Sequence, residues 1–257
     1  MDKQFYNNLQ IREVFHIAFL RAFARKVRPS FYALKGGVNM RLFFNSIRYS
    51  EDMDIDINTM SINALRDTVI NIVGSVAFLN ELRSYGIEQI QMQAMAKAKQ
   101  TQTTQRFKIH LFTQQSEDLF TKIEFSRRQP SDIAISKSFS EKIMRQYKMT
   151  PLIVSHYDAM SAIKQKITAL ANRKVVQARD TFDLYMLSTQ YSPELGKIET
   201  DAATATAACD NLYSVSFQQF HDSVVNYLAE EDKTAYNTPE IWDEIRLKVH
   251  ELICPKT

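Results

Sequence analysis

Apolar positions follow a period of two in much of the first half of the chain and a helical period in the second. From about Asn8 to Val27, Leu9, Ile11, Val14, Phe15, Ile17, Ala18 and Phe19 recur at helical spacing, and Pro29 ends the run. Phe31 to Leu34 reads as a short strand that feeds into Gly36 and Gly37. Val38 to Phe44 then reads as a helix with Met40, Leu42 and Phe43 to bury. Ser50 to Ile57 alternates strictly: Asp52, Asp54 and Asp56 face one way, and Met53, Ile55 and Ile57 the other.

Ser61 can cap a helix running to about Tyr85, where Gly86 stops it. Strands are expected from Ile87 to about Ala96, from Arg106 to Phe112 and from Leu119 to Ser126, with a hairpin or loop over Lys97 to Gln105. After Pro130 the period changes. Helices are expected over Ser155 to Arg173, Arg179 to Ser188 and Asp201 to Cys209, and the remainder, including Trp242, Ile245, Leu247 and Val249, reads as amphipathic packing. The expected class is α+β (mixed α/β). A sheet domain with flanking helices spans 1–135, and a mostly helical domain spans 136–257.

Composition adds constraints rather than chemistry. With 257 residues, 45% hydrophobic and 24% charged, the chain can bury a substantial core. A net charge of +3 permits a nucleic-acid partner without demanding one. Two cysteines, Cys209 and Cys254, make no disulfide framework and show no metal-ligand spacing, which makes a reducing, cytoplasmic setting the default. The amino terminus lacks a signal-peptide core. The apolar stretch Val14 to Ala24 is too short to cross a bilayer, so no membrane association is expected.

The candidate chemistry gathers between Leu34 and Ile57. Strand, paired glycines and helix present backbone N–H groups and a positive dipole end to an anion, although many such pairs are only turns. Three aspartates on one strand face repel one another unless a cation or basic groups relieve them. Asp52 and Asp54 have the spacing to share a divalent ion; a solvated edge strand is the alternative. An EF-hand loop is excluded. Starting at Asp52, the required glycine and closing glutamate fall on Ile57 and Asn63, and starting at Asp54 puts Thr59 at the glycine. Glu124, mid-strand, is a candidate third ligand or else an exposed strand glutamate. None of the five histidines forms a ligand pair.

These residues resemble a known family. Lys35-Gly36-Gly37 followed by Arg48-Tyr49-Ser50-Glu51-Asp52-Met53-Asp54-Ile55 is similar to the signature of the AbiEii/AbiGii (MenT-like) toxin nucleotidyltransferases, within the DNA polymerase β-type nucleotidyltransferase superfamily. Lys122-Ile123-Glu124-Phe125-Ser126 is similar to the stretch that carries the third carboxylate. Lys166-Ile167-Thr168-Ala169-Leu170 with Arg173, then Arg179-Asp180-Thr181-Phe182-Asp183, is similar to the family's second signature. Val38 departs from the usual Thr or Ala, and the gap from Gly37 to Asp52 is slightly long.

The resemblance implies a metal-dependent nucleotidyltransferase. Asp52, Asp54 and Glu124 would hold Mg²⁺ or Mn²⁺. Gly36, Gly37 and Ser50 would receive the nucleoside triphosphate, and Lys166 and Arg173 on one helical face would reach its phosphates. Asp180 or Asp183 would orient the lysine or act as base, and whether Asp56 or Asp183 belongs to the site stays open. The implied acceptor is RNA, the tRNA 3′ end foremost, with Lys97, Lys99, Arg106, Lys108, Arg127 and Arg128 as a basic surface. The implied biology is a toxin with a separately encoded antitoxin, or a phage-defence (abortive infection) role. Transfer to a protein or small molecule, and a non-catalytic binding module, are the alternatives.

Overall fold

A computed structural model describes residues 6–94, 100–127, 133–191 and 200–254. The chain forms two compact units, one from residues 1–43 and 49–157, the other from 44–48 and 158–257.

The first unit contains α1 (Asn8–Ala24), β1 (Tyr32–Lys35), α2 (Gly36–Phe43), β2 (Asp52–Ile57), α3 (Ile62–Val73), α4 (Val76–Arg83), β3 (Ile87–Met92), β4 (Thr104–Thr113), β5 (Asp118–Ser126), β6 (Ala134–Ser138), α5 (Glu141–Gln146) and β7 (Ile153–Tyr157). Its sheet has the order β3-β4-β5-β2-β1-β7-β6. β2 therefore lies at the centre, not at an edge. It pairs antiparallel with β1 and parallel with β5. A central strand of alternating aspartates is stable because Met53, Ile55 and Ile57 fill the core from the other side, all 2% exposed or less.

Helix α1 lies on that core face. Phe23 meets the rings of Tyr32 and Phe125, and Phe15 meets Phe78 of α4. Glu13, buried within α1, is held by Arg41 of α2 at 2.7 Å and by the Tyr147 hydroxyl at 2.5 Å, so the charge enters the core already paired.

Two expectations change. The helix over Ser61–Tyr85 is broken at Gly74 into α3 and α4, because Ser75 accepts the Phe78 amide and caps a second helix; the pair bends by 49°. Residues 153–157, read as the approach to and start of a helix, form strand β7 against β1, and the helix starts only after Asp158 caps it. The sheet thus draws β6 and β7 from beyond residue 135.

The second unit holds α6 (Ala159–Asn172), α7 (Ala178–Tyr191), α8 (Ala202–Tyr213), α9 (Phe217–Ser223), α10 (Glu230–Tyr236) and α11 (Pro239–Ile253). Its core centres on Trp242, which stacks on Phe220 at 4.4 Å and donates its indole N–H to the Val215 carbonyl. A disulfide joins Cys209 of α8 to Cys254 after α11, where two cysteines were expected to make no framework. No single helix among the described residues is long and apolar enough to cross a membrane.

His16 gives the first unit a measurable acid sensitivity. Thr121 donates its hydroxyl proton to the Glu51 carbonyl, so His16 donates its Nε2–H to Thr121 at 2.8 Å. Burial, then Arg12, lowers its pKa to about 3. In the unfolded chain the ring titrates near pH ~6.5. The associated stability is complete above that value and is lost as pH falls toward 3. Between pH 7 and 5 the wild type should lose about 2 kcal/mol that His16→Gln does not, read from denaturant melts at the two pH values.

Candidate active site

Four adjacent strands place charged side chains on one sheet face in a lattice set by register. Lys35, Asp54, Glu124 and Arg106 lie across β1, β2, β5 and β4 in one row. Asp52, Lys122 and Lys108 form the next, and Ala33, Asp56 and Ser126 flank on the other side. Strand alternation alone puts all of them on the face opposite the core.

Within this lattice nearly every charge has a partner. Lys35 meets Asp56 at 2.5 Å, and Tyr157 donates its hydroxyl to the other Asp56 oxygen at 2.8 Å. Lys122 meets Asp52 at 2.9 Å, and Arg106 meets Glu124 at 2.6 Å. Asp54 makes no ion pair or hydrogen bond among the described residues. Burial is the main cause that holds its pKa above the ordinary carboxylate value; Glu124 and Asp52 add to the rise, and Lys35 and Lys122 oppose it.

Gly36, the first of the pair, explains where Asp54 sits. Gly36 adopts φ +69°, and a β-carbon there would stand 2.8 Å from Asp54 Oδ2. Bare backbone at the start of α2 therefore makes room for this carboxylate, a tighter demand than the turn that the sequence suggests. Ser50 donates its hydroxyl to the Asp52 carbonyl at 2.8 Å, fixing the entry to β2.

No three Asp, Glu, His or Cys side chains among the described residues stand together as a ready ion cage. The donor set nevertheless suits a hard cation. Asp52 and Asp54 share one strand face, Glu124 is the register neighbour of Asp54, and the Asp54 carboxylate has no ion-pair partner among the described residues. Lys122 and Arg106 pair with the other two carboxylates.

The second unit builds its own cluster. Lys166 of α6 contacts Asp180 at 3.0 Å and Asp183 at 2.5 Å; Arg48 contacts both Asp183 oxygens at 3.2 Å; Arg173 contacts Asp180 at 2.7 Å. Burial opposes the charge on Lys166, but Asp183 and Asp180 raise its pKa overall. Burial likewise opposes the charge on Asp183, yet Arg48 and Lys166 lower its pKa. Three cations face two carboxylates, so the cluster is net positive. Asp180, 1% exposed, is placed to orient Lys166, and Arg173, with 39% of its side chain exposed, presents the accessible charge.

Lys35, Lys122 and Arg48 were legible only as letters within motifs. Strand alternation could have placed Lys122 beside Glu124, whereas the reach of Arg48 to Asp183 has no local signal. The expected basic surface thins out: Lys97, Lys99 and Arg128 lie outside the described residues, Arg106 is taken by Glu124, and Arg127 bonds Gln105 and the Met60 carbonyl. Lys108 remains. Sequence reasoning also missed Phe120, 41% exposed on the carboxylate face, with His110 at 5.6 Å from its ring.

A mixed sheet whose central acid-x-acid strand meets a glycine-started helix defines the class: this is a nucleotidyltransferase fold. MenT4, a nucleotidyltransferase toxin from Mycobacterium tuberculosis H37Rv, superposes with TM-score 0.58 at 14% identity, covering 97% of this chain and 85% of its own. JHP933 from Helicobacter pylori superposes with TM-score 0.54 at 17% identity, covering 97% and 92%. No curated protein matches significantly in sequence. The model of the nucleotidyl transferase AbiEii toxin family, of type IV toxin–antitoxin systems, matches residues 18–246, and the chain belongs to that family. It is an enzyme of the nucleotidyltransferase class.

The buried cluster makes a sharp prediction. Lys166→Met leaves Asp180 with Arg173 alone and Asp183 with Arg48 alone, and losing the buried ammonium that joins the two carboxylates should cost about 1–3 kcal/mol. Denaturant melts of the full chain should show that loss alongside any loss of activity.

Proposed function

We propose that this protein moves a nucleoside monophosphate from a nucleoside triphosphate to the 3′ end of an RNA, the tRNA acceptor end foremost, and that unopposed it arrests growth until a separately encoded antitoxin relieves it. The observation that carries this reading is Asp54: a partnerless carboxylate with a raised pKa, beside two further carboxylates and the bare start of a helix.

Asp52, Asp54 and Glu124 are proposed to hold Mg²⁺ or Mn²⁺, which when bound would polarise the transferring phosphoryl group and lower the pKa of the attacking hydroxyl. Lys122 and Arg106, now paired with Asp52 and Glu124, would be available to phosphate oxygens once those carboxylates held the ion. The amide groups opening α2 at Gly36 and Gly37 favour the anionic triphosphate. Lys166 and Arg173 supply positive charge for the phosphates, with Asp180 and Asp183 holding the lysine in place. Ser50 fixes the backbone of Asp52, and Asp56 keeps Lys35 beside the row.

For the acceptor, Phe120 offers a stacking surface and Lys108 and Lys122 offer charge, the combination that single-stranded RNA uses. Each nucleoside triphosphate, total RNA and Mg²⁺ should be incubated with purified protein, and RNA 3′ ends sequenced. The expected result is nucleotide addition to tRNA ends, abolished by chelator and reduced at least about 100-fold by Glu124→Gln. Label appearing on protein or on a small molecule instead would overturn the RNA assignment, and transfer unaffected by chelator would overturn the metal assignment.

A further inference from the structure

We propose that a second feature of the carboxylate face, a cavity of about 380 Å³ between β1, β6 and β7, binds the nucleoside moiety of the donor triphosphate, an assignment that rests on the nucleotidyl-transfer reading above. Its floor is small-residue sheet: Ala33 of β1, Ser155 of β7 and Ser136 of β6, with Ser136 and Ser155 paired in register. Tyr157 and Asp56 form one wall, and Asn58 closes the end of β2.

Three observations identify the occupant. The first is charge: among the described residues no lysine, arginine or histidine lines the cavity, and the carboxylate that does, Asp56, is already held by Lys35 and Tyr157. This lining suits a neutral portion of a ligand better than its phosphates. The second is chemistry: a floor of Ala and Ser, with serine hydroxyls and the Asn58 amide around it, suits a ligand with hydrogen-bonding edges such as a heterocycle and a ribose. At 380 Å³ the space is at the small end of ligand pockets, sized for one nucleoside rather than a strand.

The third is position. Asp56 follows Asp54 by two residues on the same strand face, about 7 Å along β2. β1 runs from Ala33, in the cavity, through Lys35 to Gly36, where the anion-favouring start of α2 meets Asp54. A nucleoside in the cavity therefore lies along the same strand as the proposed triphosphate cradle. This gives the enzyme a place to choose its base, which the catalytic motifs do not specify.

The test uses Ser136→Trp, an exposed edge-strand position whose side chain enters the cavity, and Lys137→Trp, its exposed neighbour on the opposite face, as control. Steady-state transfer is measured with varied triphosphate and varied acceptor, and binding of the four phosphate-free nucleosides to the full chain is followed by ligand-detected NMR. Ser136→Trp should raise KM for the triphosphate at least tenfold with kcat within threefold, and should abolish the nucleoside signal. Lys137→Trp should change neither. Unchanged triphosphate KM and nucleoside binding in Ser136→Trp, or a rise confined to the acceptor KM, would overturn the assignment. If the wild type binds nucleoside at this position but transfers no nucleotide, the cavity stands and the enzymatic reading falls.

Discussion

Asp54 is pressed against backbone that favours glycine, beside the like charges of Asp52 and Glu124, and its carboxylate makes no ion pair or hydrogen bond among the described residues. That single tension orders the rest of the first unit. The neighbouring acids are neutralised from flanking strands by Lys35, Lys122 and Arg106, while the core beneath is made of fully buried Met53, Ile55, Ile123 and Phe125. A rigid floor and paired flanks keep one carboxylate uncompensated. Removing a charge from such a place relieves repulsion, whereas supplying a cation turns the same repulsion into binding free energy.

The second unit handles charge differently. Arg48, Lys166 and Arg173 share Asp180 and Asp183, and nearly all of this is buried. The lysine keeps its charge despite burial because two carboxylates hold it. Here the pairing is complete and one positive charge is left over, the inverse of the carboxylate lattice.

Much of this was legible in the sequence because period-two alternation is a strong local signal. β2, β4 and β5 were found within a few residues, as were the glycine turn and the shared face of Asp52 and Asp54. Long-range partners were not legible. Ile153 to Tyr157 is a short stretch whose strand state depends on pairing with β1, and a helix that follows at once hid it. Gly74 broke a helix whose apolar period continued unbroken on both sides, so only the cap at Ser75 marked the break. Lys35 and Arg48 find carboxylates 21 and 135 residues away, distances over which no spacing rule operates. The glycine at position 36 was correctly singled out, but its closest neighbour, Asp54, became visible only in three dimensions.

The account turns on whether Asp54 is kept for chemistry at the expense of stability. The most direct measurement is Asp54→Asn, followed at once by thermal melting without added metal and by nucleotide transfer to RNA. The amide removes the repelled charge while keeping the shape against Gly36. The account predicts a melting temperature equal to or above that of the wild type, with transfer lost. A clearly lower melting temperature would show Asp54 to be a structural residue, and transfer retained near the wild-type rate would remove it from the active site.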